Sequence, residues 1–322
     1  MKRTACIVAL TIFIASSARA QDSMSNFRSM IENARASVTD VGGFIAPEIY
    51  GVSRYPAMPV SGGKVTIRAK VGTYYSAVAS RIAKVELTYW KTGGGKTTVA
   101  MNVEDAGQGI YSAEIPGAAE GDEIFYAVSA VDDSGAAAME VPQGADWTTL
   151  MSDAEDKDLS QGMDVRKVEA SFPAENTLRL CMDLTAKPER MLGSDMAAYA
   201  IAVFGGDVRY KPDLTESELS SAWMAAYLPS FSVADIAPAN ELLSLISGSG
   251  GKKKRAEFMK KENRLCFSFD PSLIRADYGV GLKTVGLTIA VNTSQMAIKP
   301  MDATHPVMLY PGAHSYKIYK VE

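Results

Sequence analysis

Residues 86–101 read ELTYWKTGGGKTTVAM, and they decide the fold. Three glycines, Gly93–Gly95, precede Lys96, as in the phosphate-binding loops of nucleotide enzymes. Such a loop also needs a glycine five residues before its Gly-Lys pair and an amphipathic helix after it. Trp90 stands at the position that needs this glycine, and the strand-like TTVAMNV follows the turn instead of a helix. The stretch therefore predicts two strands joined by a glycine turn, because glycine adopts positive φ without steric cost.

Alternating apolar and polar residues continue on both sides of this hairpin. They are clearest in KVTIRAKV (64–71) and EIFYAVSAVD (123–132), and each run is bounded by Gly, Pro or Asp. A period of two with turn residues between the runs is typical of an antiparallel β-sandwich. We expect one sandwich over residues 45–142.

Strand patterns resume after a polar, acid-rich stretch at 143–164, which we interpret as a linker. They recur from VRKVEASF (165–172) to HSYKIYKV (314–321), and predict a second sandwich over 165–322. The fold class is therefore all-β, with two antiparallel β-sandwiches in tandem.

Two helices are predicted beside these strands. A short one lies in the polar segment 21–44, where apolar residues recur at helical spacing over 24–34. The other covers TESELSSAWMAAYL (215–228), a helical insertion in the second sandwich. There Thr215 and Glu218 fit a capping box, and Leu219, Trp223 and Tyr227 lie on one face of the predicted helix.

The N-terminus has the layout of an export signal. Lys2 and Arg3 precede an apolar run too short to span a bilayer, and Ala18-Arg19-Ala20 then offers small residues before Gln21. We expect cleavage after Ala20 and a periplasmic or extracellular protein without a transmembrane segment in the mature chain. Cleavage removes three bases and no acid, so the formal charge falls from −4 to −7. Such an acidic chain is a poor nucleic-acid binder.

Two cysteines remain after cleavage. In TLRLCMDL and RLCFSF, Cys181 and Cys266 lie on the face opposite the apolar residues of their strands. Two strands of one sheet would bring them together as a disulfide, which an oxidising compartment permits. The alternative is two separate thiols.

The first half resembles an immunoglobulin-like or fibronectin type III-like module of secreted bacterial proteins. The resemblance covers 45–142 and is carried by APEIYGVSRYPAMPVSGGKVTIRAKV (46–71), KVELTYW (84–90) and GIYSAEIPGAAEGDEIFYAVSAVDDSG (109–135). It implies an architecture used for spacing and adhesion, and it implies no particular activity.

The second half resembles the DOMON and family 9 carbohydrate-binding type of β-sandwich. The carriers are NTLRLCMDL (176–184), RLCFSFDPSLI (264–274), VGLTIAVNTS (285–294) and MDATHPVM (301–308). Sugar-binding relatives use paired aromatic side chains, which implies a ligand site among Trp223, Tyr227, Tyr210 and Tyr199. Haem-binding relatives use a Met and His pair, so haem is the alternative ligand.

Motifs for catalysis and metal binding are sparse. His305 and His314 lie in a proline-broken loop without HExxH or CxxC companions, and no GxSxG occurs. Asp302 and His305 form either a pair or a capped turn with a surface imidazole. Asp132-Asp133-Ser134-Gly135 is either a calcium site or an Asp-Gly turn, and the turn is favoured. We predict no catalytic, metal or cofactor site here.

The sequence thus predicts an exported, non-catalytic binding or scaffold protein whose second sandwich recognises carbohydrate or another cell-envelope ligand, including a protein. A periplasmic haem-binding electron-transfer accessory is one alternative. A hydrolase whose carboxylates meet only in space is another, because such pairs leave no sequence spacing.

Overall fold

The computed structural model describes residues 46–72, 81–144, 147–174, 176–204, 222–230, 233–238, 256–270, 282–292, 297–305 and 307–320. Every regular element in these ranges is a β-strand, so the all-β prediction is confirmed for this part of the chain. No helix within these ranges has the length and apolar character needed to cross a bilayer.

The described part of the chain contains 21 strands, numbered here in chain order. They are β1 (Glu48–Tyr55), β2 (Val65–Gly72), β3 (Ile82–Lys91), β4 (Thr97–Ala100), β5 (Asn102–Asp105), β6 (Ile110–Ile115), β7 (Glu123–Asp132), β8 (Ala137–Val141), β9 (Thr148–Ser152), β10 (Val165–Ala174), β11 (Thr177–Leu184), β12 (Met191–Leu192), β13 (Asp195–Phe204), β14 (Ala222–Leu228), β15 (Val233–Pro238), β16 (Ala256–Lys261), β17 (Arg264–Phe269), β18 (Leu282–Asn292), β19 (Ala297–Ala303), β20 (Val307–Pro311) and β21 (His314–Lys317).

These strands form three sheets. Sheet I has the order β1-β2-β6-β5, and sheet III has the order β16-β17-β11-β10-β9. Sheet II has twelve strands along the path β15-β14-β13-β18-β20-β8-β7-β3-β4, with β12, β19 and β21 paired at its side. All pairs are antiparallel except β8 with β20.

Among the described residues, two hydrophobic cores lie between the sheets. The first core lies between sheet I and the β3–β7 part of sheet II, where Ile67 and Leu87 are fully buried. The second core lies between sheet III and the β13–β14 part of sheet II, and it contains Phe172, Leu180 and Ile201. The inward residues are the apolar members of each alternation, because burying them removes about 25 cal/mol per Å² of unfavourable hydration.

The end of the chain packs with its first half. β20 pairs with β8 and β21 pairs with β7. Ile318, just beyond β21, is buried in the first core, and Tyr319 forms a bridge with Val60. β9 lies inside the segment 143–164 that we expected to be a linker. The division into two domains remains a prediction.

The predicted helix over 215–228 is wrong where the structure describes it. Residues 222–228 form β14, which pairs with β13 on one side and β15 on the other. Ala225, Ala226, Tyr227 and Leu228 are all buried, so both faces of the strand are covered. This burial outweighs the helix propensity of Ala and Leu, which is a weak preference. Residues 215–221 and the predicted N-terminal helix at 24–34 lie outside the described residues.

Candidate ligand groove

Two aromatic side chains lie on the outward face of the β3–β7 pair. Val85 and Leu87 of β3 point into the first core, so the alternate position Trp90 points to the other face. Phe125 of β7 is its direct cross-strand partner. The two rings stack with their centroids 5.8 Å apart and an interplanar angle of 14°. We call this pair the platform, and both of its rings are only partly buried.

The glycine turn rises beside this platform. Thr88 and Tyr89 pair with Thr98 and Thr97, so the turn connects β3 to β4 as the sequence predicts. Gly93 has φ +72°, which favours glycine. The N–H of Gly94 donates to the carbonyl oxygen of Lys91 at 2.8 Å. The turn carries Lys96, whose Nζ lies 5.4 Å from the centroid of the Trp90 ring.

A cleft of about 980 Å³ opens over the platform. Its lining residues are Trp90, Thr92, Gly93, Gly94, Gly95, Lys96, Phe125, Pro142, Gln143, Gly312 and Ala313. It shares Trp90, Lys96 and Pro142 with a smaller cleft of about 260 Å³, which extends along β3 and β7 to Trp147 and Thr148. We call the two clefts together the groove.

The sheet packing explains why the groove exists. Met139 and Val141 of β8 face the second core, on the same side of sheet II as the platform. The strand of sheet III at this place is its edge strand β9, and Trp147 and Thr148, just before and at the start of that strand, line the smaller cleft. Residues of β3, β4 and β7 line the same cleft. The groove is the notch between the edge of sheet III and these three strands.

Hydroxyl groups line the smaller cleft. The hydroxyls of Thr88 and Thr98 lie 2.8 Å apart in a cross-strand hydrogen bond, and Ser129 lies beside them. Carboxylates line it too, but they have partners. Glu86 is 2.8 Å from Lys84 Nζ. The lining therefore combines aromatic faces with neutral hydroxyls, the composition expected of a small-molecule or glycan site.

Glu140 is among the lining residues of the smaller cleft, and its side chain joins three strands. β7 pairs with β8 through residues 129–131 and with β21 through 123–126, which leaves the N–H of Val128 between them. That N–H donates to Glu140 Oε2 at 2.8 Å. Glu140 Oε1 lies 2.8 Å from His314 Nε2, and the His314 ring stacks on Tyr126. This hydrogen bond raises the pKa of His314, although burial opposes it.

Trp147 lines the smaller cleft just before β9, and Arg264 packs against its ring. The guanidinium carbon of Arg264 lies 4.8 Å from the Trp147 ring centroid. Arg264 in turn contacts Glu169 at 2.7 Å and Asp183 at 2.8 Å. Burial alone would raise the pKa of Glu169, but hydrogen bonds from Lys167 and Arg264 outweigh it and lower that pKa. The ion-pair network thus fixes the position of Arg264 under the tryptophan.

The predicted aromatic residues lie elsewhere. Tyr199 and Tyr227 are direct partners across β13 and β14, with ring centroids 6.4 Å apart. Both are buried in the second core, and the Tyr199 hydroxyl donates to the carbonyl oxygen of Gly162 at 2.8 Å. Trp223 belongs to β14 and pairs with Val203. Tyr210 lies outside the described residues. The structure thus brings two of the four together, within the core.

The two acidic candidates accept backbone hydrogen bonds, and His305 packs beside Gly135. Asp132 Oδ1 accepts hydrogen bonds from the N–H groups of Ser134 and Ala136, so this segment is the predicted turn. Asp302 accepts from the N–H groups of Val165 and Ala303, and its pKa is raised by burial. The Cδ2 and Nε2 atoms of His305 lie 3.2 Å from where a side chain at Gly135 would begin.

Metal and haem ligation can be judged from the same residues. Within the described ranges, no three His, Cys, Asp or Glu side chains converge as metal ligands would. His314 has its Nε2 engaged with Glu140. An axial haem ligand needs that nitrogen or Nδ1 directed at the iron, so the Glu140 contact occupies one of its two coordinating atoms.

Sequence reasoning missed the groove although a signal was present. In KVELTYW the apolar residues Val85 and Leu87 define the core face, which places Trp90 among Lys84 and Glu86 on the polar face. Phe125 breaks the polar face of EIFYAVSAVD in the same way. Two large aromatic residues on the water-facing side of paired strands would have identified the platform.

Comparisons with known proteins give no family. No protein-family model matches the chain, and no curated protein matches it significantly. Among solved structures, a cycloalternan-forming enzyme from Listeria monocytogenes in complex with a pentasaccharide is similar at 15% identity and a TM-score of 0.23, covering 76% of this chain and 21% of that one. The chain therefore spans about a fifth of that enzyme's length.

Two further structures have comparable similarity. A DUF4785 family protein from Legionella pneumophila has 9% identity and a TM-score of 0.20, covering 80% of this chain and 56% of that chain. A chimeric titin Z1Z2 tandem has 10% identity and a TM-score of 0.18, covering 82% and 98%. Similarity at this level assigns neither a family nor a function to the chain.

Proposed function

We propose that this protein is an exported, non-catalytic carbohydrate-binding protein of the cell envelope, and that the groove holds the glycan. The observation that carries the proposal is the Trp90–Phe125 platform in a cleft of about 980 Å³. Ring faces carry partial negative charge, and the C–H groups on one side of a pyranose pack against them. Hydroxyls around the sugar ring then need partners at the edges, which Thr88, Thr98 and Ser129 supply.

The exposure of two aromatic rings to water is unfavourable, and this supports a ligand-binding role for the platform. Outward positions on strands facing water are normally polar, and exposed aromatic clusters in clefts mark binding sites. Neither ring is needed by the first core, which lies on the opposite side of sheet II. A bound sugar would remove the exposed ring surface of the platform from water.

A binding role without catalysis fits the carboxylates of the groove. Glu86 is paired with Lys84, and Glu140 accepts hydrogen bonds that join β7 and β21. Glycoside cleavage needs an acid and a base on either side of the scissile bond, free to exchange protons with it. The contacts of these two residues suit a structural role instead.

Polysaccharide pull-down tests the proposal. We expect the purified mature protein to sediment with at least one of insoluble cellulose, chitin, starch and peptidoglycan, and Trp90→Ala to lose at least tenfold in affinity. Tyr55→Ala is the matched control, because Tyr55 is 71% exposed but lies on sheet I. Absence of binding to all four polymers, or equal binding by Trp90→Ala, would refute the proposal.

A further inference from the structure

The three glycines of the turn differ in what restricts each position to glycine. Gly93 has φ +72°, a conformation that L side chains rarely adopt. A Cβ at Gly94 would lie 3.0 Å from Lys91 Cγ, so another residue there would have to displace that side chain. These two positions are therefore restricted by the backbone and by local packing.

Gly95 is different. Its φ lies outside the positive range, and a Cβ built there meets no atom within 4 Å. Neither conformation nor packing requires a glycine, and glycine carries the largest entropic cost of folding. Because Gly95 lines the cleft, what its missing side chain provides is open space above the Trp90–Phe125 platform.

A second glycine, Gly312, lines the same cleft together with Ala313. Its φ of +117° favours glycine, and no atom lies within 4 Å of its Cβ position. Gly95, Gly312 and Ala313 thus contribute little side-chain volume to the lining of this cleft. A cleft of about 980 Å³ lies at the upper end of the range of roughly 300–1,000 Å³ seen for ligand sites. It has room for more than the single ring that one platform can stack.

We propose that Gly95 is a specificity-determining residue: it leaves the passage between the glycine turn and Gly312 open, so that a glycan chain extends through it beyond the unit stacked on Trp90. The groove then selects oligosaccharides over terminal mono- or disaccharide units. This inference rests on the proposed function, because it concerns the ligand of the same site.

A length series of oligosaccharides tests the inference. The probes are the di- to hexasaccharides of the cellulose, chitin and starch series, titrated with calorimetric detection. We expect wild-type affinity to rise with chain length in at least one series. Gly95→Leu should lower the hexasaccharide affinity at least tenfold and change the disaccharide affinity less than twofold. Trp90→Ala should lower the affinity for every length.

Gly51→Leu is the matched control. Gly51 also has open space at its Cβ position and a φ outside the positive range, but it lies in β1 of sheet I. The Gly51→Leu variant should bind every oligosaccharide with wild-type affinity. All variants should keep the wild-type unfolding temperature. If Trp90→Ala abolishes binding while Gly95→Leu changes no length, or changes all lengths equally, the proposed function stands and this inference is wrong. If no saccharide of any length binds, this inference is wrong, and the polymer pull-down, which includes peptidoglycan, decides the proposed function separately.

Discussion

Ala137 and Ala138 are consecutive residues of β8 and face two different hydrophobic cores. Ala137 packs into the second core and Ala138 into the first, and both are almost completely buried. The neighbouring β20 repeats the pattern, with Leu309 in the second core and Met308 in the first. The β8–β20 pair is therefore the place where sheet II passes from one sandwich-like layer pair to the other.

Enlarging either alanine should damage only the core that it faces. Ala138→Leu adds carbon atoms to the first core and Ala137→Leu to the second, and overpacking typically costs about 1–3 kcal/mol. Hydrogen exchange followed by mass spectrometry should show lost protection in β2 for Ala138→Leu and in β11 for Ala137→Leu. The two variants control for each other, and identical exchange maps would contradict the assignment of the two faces.

Removing the last strand should weaken the first half of the molecule. A chain that ends at Ala313 lacks Tyr316 and Ile318, which are 5% and 3% exposed in the first core. Burying two such side chains contributes roughly 3–6 kcal/mol. We expect β2 and β3 to lose hydrogen-exchange protection while β11 retains it. A chain ending at Tyr319 is the control and should behave as wild type; a stable first core in the shorter chain would contradict the pairing of β21 with β7.

The sequence predicted the strands with strong alternation and the sides they bury. Val65 and Ile67 face the first core as their spacing requires. It did not predict β14, because Ala225 and Ala226 are good helix formers and a strand buried on both faces has no alternation to read. It also did not place β20 and β21 beside β8 and β7, because pairing between residues so far apart in sequence depends on the whole fold.

The candidate site was predictable only in part. The glycine turn was recognised, and the polar-face aromatics Trp90 and Phe125 could have been. The groove itself depends on where sheet III ends, at β9, and no local pattern records the position of a sheet edge. Tyr199 and Tyr227 illustrate the converse, because aromatic residues in a sequence fill cores as readily as they bind ligands.

Loss of the disulfide should destabilise sheet III. Cys181 and Cys266 are direct partners on β11 and β17, they are bonded, and they lie 85 positions apart in the sequence. Closing a loop of this size lowers the entropy of the unfolded chain and is worth about 2–4 kcal/mol. In urea denaturation, dithiothreitol should lower the midpoint of the wild-type protein and leave that of a Cys181→Ala/Cys266→Ala double variant unchanged. Equal midpoints for oxidised and reduced wild type would contradict a stabilising bridge.

The Glu140–His314 pair should make stability fall as the pH rises through neutrality. Its hydrogen bond to Glu140 raises the pKa of His314 above 6.5, against the opposing effects of burial and of Arg54. A group whose pKa is raised on folding contributes its full stabilisation below the unfolded pKa and loses it as the pH rises through the folded pKa. Because the His314 side chain is 38% exposed, solvent screening limits the effect to about 0.5 kcal/mol. Urea denaturation at intervals from pH 5.5 to 8.5 should show this decline for wild type and not for His314→Gln, which retains a hydrogen-bond donor but does not titrate. A decline of equal size in both proteins would mean that another group is responsible.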